Sequence, residues 1–209
     1  MLIELIRHGV TDLQLDHKYQ GWTDAPLGDF GKAHLAAASD VANEASGMQR
    51  RVVHVTPLIR TQETAAILFP EAQQIPMEDL KEMNFGAFEG LSYQEISESP
   101  LAAAYQEWVD GICEGKCPGG ESKAEFQERV CSAFELLMYD ICGAGETELT
   151  IVAHGGTLMS ILDRYAEPAR PYFDWHTESG HGFLLDTAPW DAQHKLTLIA
   201  ETDYTKGVN

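Results

Sequence analysis

Three short apolar runs, at residues 2–6, 52–55 and 149–153, are each followed within a few positions by a longer stretch with helical spacing. Runs this short and this apolar fit strands buried on both faces of a sheet. The longer stretches repeat apolar residues every three or four positions, as in Leu35, Ala38, Val41 and Ala42, which is the period of a helix with one buried side. Strand and helix in alternation leave few topologies open. They predict an α/β fold with three layers, α/β/α, in which helices cover both faces of a mostly parallel central sheet.

The expected helices span residues 29–45, 58–69, 122–142 and 156–165, with shorter helical pieces at 93–97 and 101–110. Gly47 lies near the end of the first, and Pro70 stops the second. Ser122 with Glu125 three residues on forms a capping box, and Gly143 supplies the stop. Residues 73–77 fit a further strand, and 182–186 and 196–200 fit two closing strands. The pattern weakens between 81 and 120. No repeat, low-complexity tract or linker interrupts the chain. A single domain is expected over 1–209, with 84–121 as a small helical cap-like insertion.

Acidic residues number 33 against 14 basic ones, for a formal net charge of −19. Nucleic-acid binding depends on clustered Lys and Arg, so no nucleic-acid partner is expected. A small anion is a different case. One positive charge ~4 Å from an anion contributes ~4 kcal/mol at an effective dielectric near 20, whereas charges beyond ~8 Å are largely screened. No apolar run approaches the roughly 20 residues of a membrane span, and residues 1–4 lack the start of a signal peptide. No membrane partner and a cytoplasmic location are the expectation. Cys113, Cys117, Cys131 and Cys142 read as reduced thiols, since no second close pair completes a metal pattern, and neither metal nor cofactor is expected. An acidic surface keeps molecules apart without excluding a dimer, so the oligomeric state stays open.

Arg7-His8-Gly9 follows the first strand directly, His154-Gly155-Gly156 follows the third, and Arg60 follows the second across a short turn. In open parallel sheets the carboxyl ends of the strands form the ligand crevice. Two arginines and two histidines therefore converge on one sheet edge. Such a cluster is costly without a counter-charge, which a phosphate dianion supplies. Taken singly, a histidine or arginine after a strand reads more simply as a structural or surface residue. The simple reading stands for His17, His34, His54, His176 and His194, while His181 is left open.

Five ordered blocks carry a resemblance. Leu5-Ile6-Arg7-His8-Gly9, with Thr11, Gln20-Gly21 and Asp24-Ala25-Pro26-Leu27, is the first. Thr56-Pro57-Leu58-Ile59-Arg60-Thr61-Gln62-Glu63-Thr64 is the second. Leu80 to Gly90, Pro118-Gly119-Gly120-Glu121-Ser122 and Val152-Ala153-His154-Gly155-Gly156 complete the set. In this order, from residue 2 to about 166, they resemble the histidine phosphatase superfamily, also called the phosphoglycerate mutase-like family. The resemblance implies that His8 is a nucleophile that carries the phosphoryl group and Glu82 the proton donor. Arg7, Arg60 and His154 would form the phosphate pocket, with Gln14, Gln20, Gly21 and Gly155 as further substrate-binding positions.

The residue types suit that chemistry. A neutral imidazole attacks phosphorus without a base to activate it, and arginine forks match phosphate oxygens and keep their charge. Glu82 must hold a proton for the leaving alkoxide, so its pKa should be raised, with Met83 and Phe85 nearby to desolvate it. Without the resemblance, Glu82 reads as a solvated acid beside Lys81. The chain departs from the common pattern at Val10, where Glu is usual, at Leu13-Gln14 for Trp-Asn, and at Lys18 for Arg. Asn84-Phe85-Gly86 stands where mutases carry His-Tyr-Gly. That block resembles the phosphatase branch, including α-ribazole-phosphate phosphatase. The expectation is a metal-independent phosphatase acting on a small phosphorylated metabolite, with Phe88, Tyr93, Tyr105 and Trp108 covering the pocket or forming the core of the cap. A cofactor-dependent phosphoglycerate-type mutase and a non-catalytic phosphate-binding protein of the same fold are the alternatives.

Overall fold

Seven strands form one sheet in the computed structural model, which describes residues 1–36 and 48–205. They are β1 (Leu2–Arg7), β2 (Val52–Val55), β3 (Gln73–Pro76), β4 (Glu148–Ala153), β5 (Ala166–Glu167), β6 (His181–Asp186) and β7 (Leu196–Asp203), ordered β3-β2-β4-β1-β6-β7-β5 across the sheet. β2 pairs in parallel with β3 and β4, β1 with β4, and β5 with β7. β6 alone runs against its neighbours, β1 and β7. The sheet is mixed and mostly parallel, as the alternating pattern predicts.

Parallel neighbours require long crossovers, and helices supply them. Those described are α1 (Asp12–Leu15), α2 (Asp29–Ala36), α3 (Ile59–Leu68), α4 (Tyr93–Ser97), α5 (Ala102–Asp110), α6 (Lys123–Gly143), α7 (Gly155–Tyr165) and α8 (Trp190–Gln193). The two-residue period of the strands sorts their side chains onto two faces. Ile3, Leu5, Leu149 and Ile151 are buried with Phe126 and Phe134 of α6 and Leu158 and Ile161 of α7. Ile6, Val53, Val55 and Val152 are buried with Leu35 of α2 and Ala65 and Leu68 of α3. Two apolar faces with helices on each make the three layers.

Most boundaries fall within a residue or two of those expected. Helix α2 begins at Asp29, and the part of the 29–45 expectation after Ala36 lies outside the described residues. The capping box forms as expected, with Ser122 accepting from the Glu125 N–H, but α6 runs through Gly143. The left-handed residue that follows is Gly145, at φ 73°. β7 continues past 200 to Asp203 because it pairs with β6 as far as His181. The pattern does not announce α1, β5 or α8, which are too short to display a period.

The polar interruption in β1 proves to be a buried ion pair. Glu4 is fully buried, and Arg50 reaches it with Nε at 3.1 Å and Nη2 at 2.7 Å. Arg50 Nη2 also donates to Tyr204 Oη at 3.0 Å, and the Tyr204 hydroxyl donates to Glu4. Every member has a partner, which is the condition for burying charge at tolerable cost.

Strand register places the site. Arg7 stands opposite Ala153 and the His8 N–H donates to the Ala153 carbonyl at 3.0 Å, so His8 and His154 leave the sheet side by side. Val55 stands opposite Val152, which brings Thr56 to the same edge.

Candidate active site

The rings of His8 and His154 have centroids 5.2 Å apart, close to the ~4.8 Å spacing of neighbouring strands. Both side chains are buried. His8 Nδ1 lies 2.7 Å from the Gly9 carbonyl oxygen. A carbonyl only accepts, so Nδ1 carries the hydrogen and Nε2 keeps its lone pair. Burial, then Arg60 and Arg7, push the His8 pKa well below its ordinary value, against the opposing pull of the Gly9 bond. The ring is neutral at pH 7, with its free lone pair on Nε2. His154 is lowered in the same direction by burial, Arg60, His8, Arg7 and Arg129.

Arg60 sits in the first turn of α3 and is fully buried. Its Nη1 donates to the Thr23 carbonyl at 2.9 Å and its Nη2 to the Gly21 carbonyl at 2.7 Å. Burial lowers its pKa to about 10, which still leaves it charged at neutral pH. Arg7 Nη1 donates to the Thr177 carbonyl and lies 3.4 Å from His176 Nε2. Among the described residues, four buried nitrogens of this group have no partner: Arg7 Nε, Arg60 Nε, Gln20 Nε2 and His154 Nδ1. Buried polar atoms are normally satisfied, so the three that are N–H donors, on Arg7, Arg60 and Gln20, mark a place built for acceptor oxygens.

Glu82 completes the set. Its Oε1 accepts from the Met83 N–H and its Oε2 from the Gly156 N–H, each at 2.8 Å. Burial raises the carboxyl pKa above its ordinary value, outweighing those two bonds and the attraction of Arg60 and Arg7. The backbone here is held from two sides. Trp22 Nε1 donates to the Glu82 carbonyl at 3.0 Å and Arg129 Nη2 at 3.2 Å. Arg129 also donates to the carbonyls of Asp79 and Lys81 and forks onto both oxygens of Glu121 at 2.8 Å. A Cβ at Gly156 would stand 2.3 Å from Glu82 Oε1, so only glycine leaves the carboxyl this position.

A cavity of about 420 Å³ is lined by Arg7, His8, Gln20 and Glu82 on one side. Its remaining wall includes Tyr19, Phe85, Trp108, Phe126, Met159 and Tyr172. Phe88 and Tyr105 pack against Tyr19 and Trp108 with their rings tilted or edge-on. A neighbouring cavity of about 630 Å³ shares Arg7, Gln14, Lys18 and His176 with it. Gln14 lines both, but its Oε1 accepts from the Thr11 N–H and its Nε2 donates to Ser179 Oγ at 3.3 Å. Gln20 Oε1 accepts from the Thr11 hydroxyl, leaving its amide N–H₂ free. Gly155 lines the cavity, and a Cβ there would meet Arg7 Nε at 3.3 Å. Gly21 is buried and lines neither cavity; its N–H goes to Glu89 and its carbonyl to Arg60. His181 Nε2 lies 3.2 Å from Asp203 and faces the neighbouring cavity.

Several residues that no periodicity singles out also shape the site. His176, read from the sequence as unremarkable, is on the cavity rim beside Arg7. Glu89 accepts from the N–H groups of Gly21, Trp22, Thr23 and Phe85, tying the loop that holds Arg60 to the loop that carries Glu82. Trp22, Glu89, Glu121 and Arg129 act on backbone groups far away in sequence. Glu89 and Glu121 fall within the resemblance blocks, which was the one available signal.

Residues 3–181 match the profile of the histidine phosphatase superfamily (branch 1). The chain is 30% identical over 166 residues, 77% of its length and 74% of the relative's, to the 2,3-bisphosphoglycerate-dependent phosphoglycerate mutase 2 of Gloeobacter violaceus. It is 26% identical over 163 residues, 78% of its length and 74% of the relative's, to an acid phosphatase of Mycobacterium tuberculosis. The α-ribazole phosphatase of Shigella flexneri has the same fold, with a TM-score of 0.83 at 24% identity and 100% of both chains covered. The matched span contains all three strand tips that carry the site, and the chain belongs to the histidine phosphatase superfamily, with both mutases and phosphatases among its relatives.

Proposed function

We propose that this chain is a metal-independent phosphatase that hydrolyses small phosphomonoesters through a phosphohistidine on His8. The observation that carries the reading is the group of unpartnered buried nitrogens on Arg7, Arg60, Gln20 and His154 around a neutral His8. A tetrahedral dianion offers enough oxygens to satisfy them and cancels the two guanidinium charges that burial makes costly.

In the first half-reaction, the Nε2 lone pair attacks phosphorus as the P–O bond to the leaving group breaks. Glu82, held protonated by burial, gives its proton to that oxygen. Arg7 and Arg60 hold the charge that spreads over the equatorial oxygens. In the second half, ionised Glu82 takes a proton from water, the water oxygen attacks phosphorus and the P–N bond breaks. Inorganic phosphate leaves, and both side chains return to their starting protonation.

The wall of the cavity favours hydrolysis over mutase chemistry. Glycerate is small, whereas Tyr19, Phe85, Trp108, Phe126 and Tyr172, with Lys18 and Lys123 beside them, form a largely apolar surface suited to a larger leaving group. Phe85 and Trp108 of that wall come from residues 84–121, which we read as a cap on a single domain. The mutase reading draws its support from the Gloeobacter violaceus relative.

Turnover of p-nitrophenyl phosphate in the presence of a chelator, by wild type and His8→Ala, tests the proposal. The expected loss is on the order of 10⁴-fold or more. Equal turnover by both would remove the nucleophile, and no turnover by either would favour a non-catalytic phosphate-binding protein. With 3-phosphoglycerate and its bisphosphate primer, release of free phosphate is expected. Rapid isomer formation with little free phosphate would make the chain a mutase.

A further inference from the structure

Of the two nitrogens of His154, the protein binds one. Nε2 lies 3.0 Å from Thr56 Oγ1, while Nδ1 is buried without a partner among the described residues. The direction of the Thr56 bond decides what His154 offers an anion. If Nε2 accepts, the neutral ring carries its hydrogen on Nδ1 and is a ready donor. If Nε2 donates, Nδ1 holds a lone pair, which repels phosphate oxygens.

A threonine hydroxyl has one hydrogen to give. Thr61 Oγ1 lies 2.9 Å from the Leu58 carbonyl and 3.0 Å from the Thr56 carbonyl. Both are stronger acceptors than a hydroxyl, so the Thr61 hydrogen turns to them. Thr61 Oγ1 then accepts from Thr56 Oγ1, 3.0 Å away. The Thr56 hydrogen is used there, and its oxygen is left to accept from His154 Nε2. Thr56, Thr61 and His154 are all fully buried, so no solvent hydrogen alters the count.

We propose that Thr56 and Thr61 are positioning residues that hold His154 as its Nε2–H tautomer, so that binding of a tetrahedral dianion is coupled to proton uptake at Nδ1. The groups facing the ring are Arg7 at the end of β1, His8 just after it, Arg60 on α3 and Arg129 on α6, with Glu82 bound to the adjacent Gly156. Burial first, and then the guanidinium charges of Arg60, Arg7 and Arg129, keep the ring unprotonated in the free protein. A dianion among them offsets the charge opposition and gives a proton on Nδ1 an acceptor, so the lone pair becomes a donor. This rests on the proposed function for where the anion sits, but the tautomer of the free protein does not.

The test uses the intact protein labelled with ¹⁵N-histidine, with sulfate as the probe because it stays a dianion across the working pH range. Long-range ¹H–¹⁵N spectra, assigned with His154→Asn and His8→Asn, report the protonation of each ring nitrogen. The free wild type should show His154 protonated at Nε2 alone, and sulfate at saturation should protonate both nitrogens. Thr56→Ser should keep this pattern. Thr56→Val should lose it and bind sulfate about tenfold more weakly, and Thr61→Val gives a second route should that variant fail to fold. An Nδ1–H tautomer in the free wild type would overturn this proposal and leave the phosphatase reading intact. Sulfate bound without a second proton on His154 would overturn it too. No sulfate binding at all would count against both.

Discussion

Two side chains at the centre of the site are moved in opposite directions by the same cause. Burial lowers the His8 pKa and raises that of Glu82, because both environments oppose charge. Activity should rise with pH as His8 loses its proton, on a limb below the ordinary histidine range near 6.5. It should fall as Glu82 loses its proton, on a limb above the ordinary carboxylate range near 4.3. The Glu82→Gln variant should lack the alkaline limb in kcat/KM. With p-nitrophenyl phosphate, whose leaving group departs without a donated proton, it should give a burst of nitrophenol and accumulate acid-labile phosphoenzyme, since water then lacks its base. Steady turnover should drop by roughly 10²–10⁴-fold. A variant with the wild-type pH profile and no burst would remove Glu82 from the role. Gly156→Ala separates geometry from stability. The new Cβ would meet two side chains rather than backbone, the Glu82 carboxyl at 2.3 Å and Phe126 Cε1 at 3.1 Å, so turnover of alkyl phosphates should fall ~100-fold or more with a smaller effect on Tm. Equal turnover with a lowered Tm would show that the close approach matters only for packing.

The helix and loop elements decide how the acid is presented. Arg129 on α6 holds the backbone carbonyls of Asp79, Lys81 and Glu82 while forking onto Glu121, and Trp22 holds the Glu82 carbonyl from the opposite loop. Arg129→Met removes these bonds and should hurt substrates in proportion to their need for a proton. Alkyl phosphates should lose about tenfold more in kcat/KM than p-nitrophenyl phosphate does. A uniform loss across leaving groups would indicate a general structural role. The lesson for reading elements is uneven. Helix α6 was legible from its capping box and apolar period, as were β1, β2 and β4 from their apolar runs. The Arg129 contacts were not, because they run to carbonyl oxygens, and every residue has one.

For the molecule as a whole, the buried Glu4, Arg50 and Tyr204 group joins the first strand, the segment before β2 and the end of β7. Arg50→Met leaves the Glu4 carboxylate buried without its cation, which costs about 3–5 kcal/mol when one partner of such a pair is removed. A drop in Tm of roughly 6–20 °C is expected for a chain of this size, with the far-ultraviolet spectrum retained below the transition. An unchanged Tm would mean that water reaches Glu4. Stability should also decline as pH falls. The native His8 and His154 stay neutral below 6.5, while the same residues in the unfolded chain take up protons there, so each adds at most about 1.4 kcal/mol per pH unit to the loss.

The sequence by itself determined the layers, the strand tips and the chemical character of the residues placed on them. Periodicity and local capping are short-range properties, and the convergence of Arg7, His8, Arg60 and His154 follows from the general rule that parallel strands share a carboxyl edge. Tertiary structure alone decided the rest. Only burial against α6 and α7 makes Glu82 an acid able to hold its proton, and only the β1–β4 register sets two imidazoles 5.2 Å apart. Gly21 shows the difference in one residue: a candidate for touching substrate, it is committed by the fold to Glu89 and Arg60. Electrostatic environment and hydrogen-bond direction depend on which groups are near in space, and a linear pattern holds no record of that.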